Sequence, residues 1–246
     1  LATTAMTTAN TQGIVLKTMP YKETAQLVTI YSLTFGKITL TARGTRKMTS
    51  KNAAIVMPMS LSEFEITPRK GLSTLIRGQH LSYYNNIRKD LNREIVADYL
   101  MEYYYRYLPE NKPSQSTFDF LKETLEALDE GANYLYVYAL INAHIMKTNG
   151  VKLQVDHCVF CDSTKVIDFQ LDDGGFVCHK HHTGPIHYDL DALKAIRYLY
   201  KTTMKQVSRL TLADDIVKQV LPIFEYYVEE YIGIRLKSKT FLKQIV

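Results

Sequence analysis

All three cysteines of this chain lie in one stretch, "CVFCDSTKVIDFQLDDGGFVCHKHH", which opens at Cys158. Cys158 and Cys161 are separated by two residues. Sixteen residues then separate Cys161 from Cys178, and two more separate Cys178 from His181. Two thiolates at that offset sit on a tight turn with both sulfurs on one side, and a second such turn closes a tetrahedron around one ion. Between them "KVIDFQLDDGGFV" reads as a short hairpin with Asp173-Gly174-Gly175 in the bend. The spacing predicts a zinc ribbon held by Cys158, Cys161, Cys178 and His181. His181 repeats the offset of the first pair, while His179, His182 and His157 lie near enough to compete for the fourth position. Four ligands make a closed, structural site, because a catalytic zinc keeps one position open beside an acid or base. The H-x-E…P-C-x-x-C and H-E-x-x-H patterns are absent, and Asp162, Asp172 and Asp173 are the near candidates for the carboxylate a hydrolase or deaminase would need. Redox use of the CxxC lacks a surrounding βαβ pattern, and three clustered cysteines do not suit a secreted disulfide framework.

Before this stretch the chain has two characters. From Gly13 to about His80 it reads as strands: "GIVLKTMPY", then "AQLVTIYSLTFGKITLTARG" broken at Phe35-Gly36-Lys37, then "MPMSLSEFEITPRKGLSTLIRGQHL" turning at Pro68 to Gly71. About five short strands in some seventy residues suit a five-stranded Greek-key barrel of the OB type, and an SH3-like barrel fits the count nearly as well. After Leu81 the period becomes helical. Asp90 can cap a helix through "LNREIVADYLMEYYYRYL" that stops at Pro109. "SQSTFDFLKETLEALDEG" opens on a capping-box-like Ser116/Asp119, and the apolar "NYLYVYALINAHIMKTNG" ends at Gly150. Two further helices follow the cysteine stretch, and Pro222 is expected to kink or divide the last. The fold expected is α+β, an N-terminal OB-fold β-barrel followed by an α-helical domain carrying a zinc-ribbon-like insertion. Its boundaries fall at 1–11 (a disordered leader or a remnant of cloning), 12–80 (barrel), 81–150 with 186–246 (helical domain) and 151–185 (insertion).

Charge separates the same parts. Residues 1–80 hold ten Lys/Arg against three acids, although the whole chain is only +5. A polyanion is the partner such a basic third suits. The densest cations, Arg43, Arg46, Lys47 and Lys51 in "TARGTRKMTSKN", follow a strand and form a loop able to track a phosphate backbone. No phosphate loop, dinucleotide fingerprint or nucleophile elbow is present. The longest mostly apolar stretch, Tyr134 to Met146, is too short to span a bilayer and is interrupted by Asn142 and His144. No membrane partner and a cytoplasmic location are expected. The tyrosines of "YYYRY" at 103–107 are expected in the core rather than on nucleic acid.

In order and spacing, "GIVLKTMPYKETAQLVTIYSLTFGKI", "ARGTRK" with the following "SK", "KGLSTL", "IRKDLNREIVADYLMEYYYRYLPE", "GGFVCHKH" and "YIGIRLKSKTFL" resemble the bacterial recombination mediator family RecO, from about Gln12 to Leu242. The resemblance implies an OB-fold, a helical domain and a Zn2+ site at Cys158, Cys161, Cys178 and position 181, where many members carry cysteine instead. It also implies binding of single- and double-stranded DNA, annealing of complementary strands, and action with RecR to help RecA replace single-strand-binding protein, whose C-terminal tail docks on the helical domain. That work involves no catalysis and would be associated with the nucleoid. On this chain the backbone-contacting set is expected at Lys37, Arg43, Arg46, Lys47 and Lys51, extended by Arg88, Lys89 and Arg93. A single-stranded RNA-binding OB module with structural zinc is the alternative.

Overall fold

The structure, a computed structural model, describes residues 7–45, 50 and 52–242. It divides into two compact units, residues 1–130 with Leu236–Ser238, and residues 131–235 with 239–246.

The first unit opens with a closed barrel of five strands: β1 (Ala9–Tyr21), β2 (Ala25–Ser32), β3 (Gly36–Ala42), β4 (Leu61–Thr67) and β5 (Leu72–Ser82), in the order β1-β2-β3-β5-β4. All pairings are antiparallel except β3 with β5. This is the OB type rather than an SH3-like barrel. β1 begins at Ala9, so residues 9–11, expected in a leader, are strand pairing with Phe64 to Ile66. Alternation along β2 and β3 sends Val28, Ile30, Ile38, Leu40 and Ala42 inward, where they pack with Val15, Phe64, Ile66 and Leu75. Thr29 and Thr39 pair their hydroxyls at 3.1 Å on the other face. A short 3-10 turn, Ala54–Val56, adds buried Ile55 and Val56 to the barrel core.

Two helices complete this unit. Asp90 caps α1 (Leu91–Tyr107), its Oδ1 accepting from the amides of Asn92 and Arg93 at 3.0 and 3.3 Å. Tyr103 and Tyr104 are buried, and Tyr104 donates to the Thr117 carbonyl at 2.7 Å. α2 (Gln115–Asp129) is capped by Ser114, whose Oγ accepts from Thr117 N, not by Ser116 as the sequence pattern predicts. Ser116 already sits inside the first turn.

In the second unit α3 (Tyr134–Thr148) starts at Asn133 and is buried nearly all round, with Gly150 just past its end at a φ of +82°. The ribbon strands β6 (Val166–Gln170) and β7 (Gly175–Cys178) follow, then α4 (Leu190–Lys201), capped by Asp189, and α5 (Asp214–Tyr226). Pro222 does not divide α5: the helix continues to Tyr226 and passes into a π turn at Tyr227–Tyr231. A short α6 (Lys239–Leu242) closes the unit. Among the described residues no helix is long and apolar enough to cross a membrane.

Candidate metal centre and nucleic-acid face

The ribbon brings its ligands together through two turns of the same kind. Cys161 N donates to the Cys158 carbonyl, and His181 N donates to that of Cys178. The hairpin spaces these turns, and the chain before it adds a third rung, with Val159 N on Phe176 O and Phe176 N on Gln154 O. The glycines are needed here: Gly174 has a φ of +70°, and a Cβ on Gly175 would run into the Gln154 carbonyl.

The result is a group of four donors, the sulfurs of Cys158, Cys161 and Cys178 and one nitrogen of His181, all within 4.8 Å of one another. Cys161 Sγ lies 3.8 Å from Cys178 Sγ, and His181 Nδ1 lies 3.4 Å from both Cys158 Sγ and Cys178 Sγ. Tetrahedral bonds of about 2.3 Å to sulfur and about 2.0 Å to nitrogen place donors about 3.8 and about 3.5 Å apart. The residues present therefore fit one tetrahedral metal ion. Burial would raise the Cys158 thiol, but the amides of Cys178 and Phe160 and the His181 ring outweigh it and bring it down to about 6. The Cys161 thiol, although it faces the Ser163 amide, is raised by burial and by its two sulfur neighbours.

The competing histidines are engaged elsewhere or turned away. His157 bonds Gln154 and the Cys158 carbonyl, His179 is exposed, and His182 Nε2 lies 3.0 Å from Asp168 Oδ2. Asp162, Asp172 and Asp173 are exposed, and none belongs to the four-donor group.

Asp168 is a residue that spacing arguments missed. Its carboxylate is fully buried and accepts from the rings of His182 and His187 and from the amides of His187 and Tyr188. It pins the chain leaving the second turn to β6. Burial pushes its carboxyl up, but these donors outweigh it and hold it below the usual carboxylate range. An acidic residue inside the short apolar run "VIDFQ" was the available signal.

The candidate phosphate contacts are placed as follows. Arg43 is exposed just past β3, beside Gly44 at a φ of +71°. Arg46, Lys47 and Lys51 lie outside the described residues. The far end of that loop is tied to β5, where Asn52 Nδ2 donates to the Ile76 carbonyl, next to the exposed Arg77 paired with Glu65. Arg88 and Lys89 are exposed ahead of α1, Arg88 donating to the Pro58 carbonyl at 2.6 Å and Lys89 to Asn86 Oδ1. Arg93 is half-buried beside Asp90.

Lys37 departs from the expectation. It is only 7% exposed, and its ammonium donates to the Tyr105 carbonyl at 2.8 Å. The α1–α2 connection covers β3 at this point: Asn111 N donates to Lys37 O, and the Tyr31 hydroxyl faces the Lys112 carbonyl. Burial lowers the Lys37 pKa, with Glu110 opposing.

A closed OB-type barrel joined to helices, with a Cys3His group able to hold a metal ion carried between helices of the second unit, defines the class: a barrel-and-ribbon protein of α+β architecture. The sequence matches the family descriptions "Recombination protein O N terminal" over residues 6–84 and "Recombination protein O C terminal" over residues 88–240. It is 30% identical over 238 residues to the DNA repair protein RecO of Bacillus subtilis strain 168, covering 95% of this chain and 93% of that one. It is likewise 30% identical to the DNA repair protein RecO of Bacillus mycoides strain KBAB4, covering 95% and 96%. The chain belongs to the recombination protein O family.

Proposed function

We propose that this chain is a DNA repair and recombination mediator: it binds single- and double-stranded DNA through its barrel, anneals complementary strands and, with RecR, helps load RecA onto DNA coated by single-strand-binding protein. The observation that carries the reading is the closed OB-type barrel with exposed Arg43 heading a basic loop, in a chain whose relatives are DNA repair proteins. Lys and Arg neutralise phosphates, counterions leave, and two strands are held without sequence preference. No bond is made or broken in this work. Arg43, with Arg46, Lys47 and Lys51, forms the primary set, and Arg88, Lys89 and Arg93 extend it. Lys37 serves the fold instead. The Cys3His group takes Zn2+, which when bound supplies a structural cross-link. Cys158, Cys161, Cys178 and His181 hold it, while Asp168 orients the chain leaving the second turn.

The test is a salt titration of DNA binding by the parent and by the triple variant Arg43→Ala, Arg46→Ala, Lys47→Ala. The variant is expected to bind more weakly and to lose about 2 from the slope of log affinity against log salt, at about 0.7 for each phosphate contact on a single strand. An unchanged affinity and slope would remove the loop from the interface.

A further inference from the structure

On the barrel, β2 and β3 lead to the exposed Arg43 and offer no exposed ring for a base to stack on. β3 contains no aromatic residue, and the one aromatic of β2, Tyr31, is buried edge-on against Tyr104. Recognition of single strands ordinarily adds such a ring to the phosphate contacts, because every base has a π face and each stack is worth about 1–3 kcal/mol.

The metal clip presents one. Phe160 lies between ligands Cys158 and Cys161 and is 54% exposed. A large apolar ring at the tip of a two-residue turn is open to an incoming flat apolar surface. The turn that carries the ring is braced. Its backbone is fixed on one side by Val159 N on the Phe176 carbonyl at 2.8 Å and on the other by Cys161 N on the Cys158 carbonyl. One side of the ring rests on the imidazole of ligand His181, centroids 5.4 Å apart with planes at 51°. The second turn exposes His179 and Lys180 next to that same His181. An aromatic tip on a braced turn, with a cation one residue from the imidazole it leans on, matches an unpaired base and its adjoining phosphate. An apolar protein partner would instead call for further exposed aliphatic residues in the two turns, and the turns supply a half-buried Val159, Asp162, His179 and Lys180.

We infer that Phe160 is a base-stacking platform for single-stranded nucleic acid, with Lys180 beside it for the phosphate. The inference rests on the nucleic-acid reading given above and assigns the ribbon a contact of its own in addition to its cross-link. In annealing, a base held away from its neighbours is presented to the incoming strand. Loss of the ring therefore weakens single-strand binding more than duplex binding, since duplex bases are already stacked.

The experiment uses the full chain and a single-stranded DNA oligonucleotide carrying one fluorescent adenine analogue whose emission reports stacking. Phe160→Leu keeps apolar contact with the His181 ring but has no π face; Phe160→Tyr keeps the face. Zinc content is measured for each. Phe160→Leu is expected to lower single-strand affinity roughly five- to hundredfold, the loss of one stack. It should remove the analogue's response, retain zinc and leave the salt slope and duplex affinity as in the parent, while Phe160→Tyr matches the parent. Equal single-strand affinity of the Leu variant and the parent overturns the inference and leaves the tip to an apolar partner. So does equal weakening by Leu and Tyr, or loss of zinc by the Leu variant as the source of the effect. If the barrel-loop variant binds weakly while Phe160→Leu does not, only this inference fails. If the parent binds no single strand, the nucleic-acid reading fails and this inference goes with it.

Discussion

The side chain that most repays attention in the second unit is Asp168. A buried carboxylate without partners is strongly disfavoured, and here two imidazoles and two amides satisfy it. Asp168→Asn keeps the size but removes the charge and turns one acceptor oxygen into a donor facing other donors. The expected cost is about 3–5 kcal/mol of stability in this unit, the usual penalty for breaking a buried pair from one side. Because the pinned chain begins at the residue after candidate ligand His181, a metal held by the Cys3His group is also expected to be lost more readily to a chelator. Urea unfolding and a competitive zinc indicator measure the two. His187, 59% exposed, contributes less. The choice of His181 over its neighbours belongs here too: the offset from Cys178 made it a candidate, and the pairing of His182 with Asp168 shows why the next imidazole is not available.

Among the elements, the barrel strands, their turns and the helix start at Asp90 obey short-range rules and were readable as such. The cap of α2 was misplaced by two residues, because Ser114 and Ser116 are both good caps, and it is Ser114 whose backbone is extended, with φ −148° and ψ 120°. Gly36 shows a constraint that turn rules give for one reason and packing gives for another. Its φ of +69° favours glycine at the end of the β2–β3 hairpin, and a Cβ there would also come within 2.5 Å of the Lys112 carbonyl carbon, on the segment that covers β3. Gly36→Ala is expected to destabilise the first unit by about 2 kcal/mol or more, as strain and overpacking combine. Gly44→Ala, with a similar φ but open space around it, should cost less. Thermal unfolding of the two variants side by side separates backbone strain from the clash.

For the whole chain, the two units are expected to weaken in different ranges of acid. In the second, burial and then the Lys147 charge bring the His144 pKa down to about 4 from an ordinary 6.5. The unfolded chain therefore takes up a proton first, so stability falls as pH drops from about 6.5 to about 4 and this contribution then levels off. In the first, burial would raise the Glu102 carboxyl. The amides of Ser238 and Lys237, with Arg106, outweigh it and hold it at about 2 against an ordinary 4.5. That stabilisation is present above about 4.5 and is lost as pH falls towards about 2. His144→Gln should flatten the upper window and Glu102→Gln the lower one in urea midpoints measured against pH.

Residue order alone carried the Cys3His grouping, the strand count and the helix start at Asp90, because each depends on neighbours a few positions away and on the fixed periods of helix and strand. Fold closure decided the rest. Lys37 became a buried structural cation because the carbonyl of Tyr105, 68 positions on, reaches it. Asp168 found its histidines 14 and 19 positions away. The parallel β3–β5 pairing, which separates an OB barrel from its rivals, joins strands that are not neighbours in the chain. Such contacts exist only once long loops have closed and the core has paid their entropy, so no local spacing rule contains them.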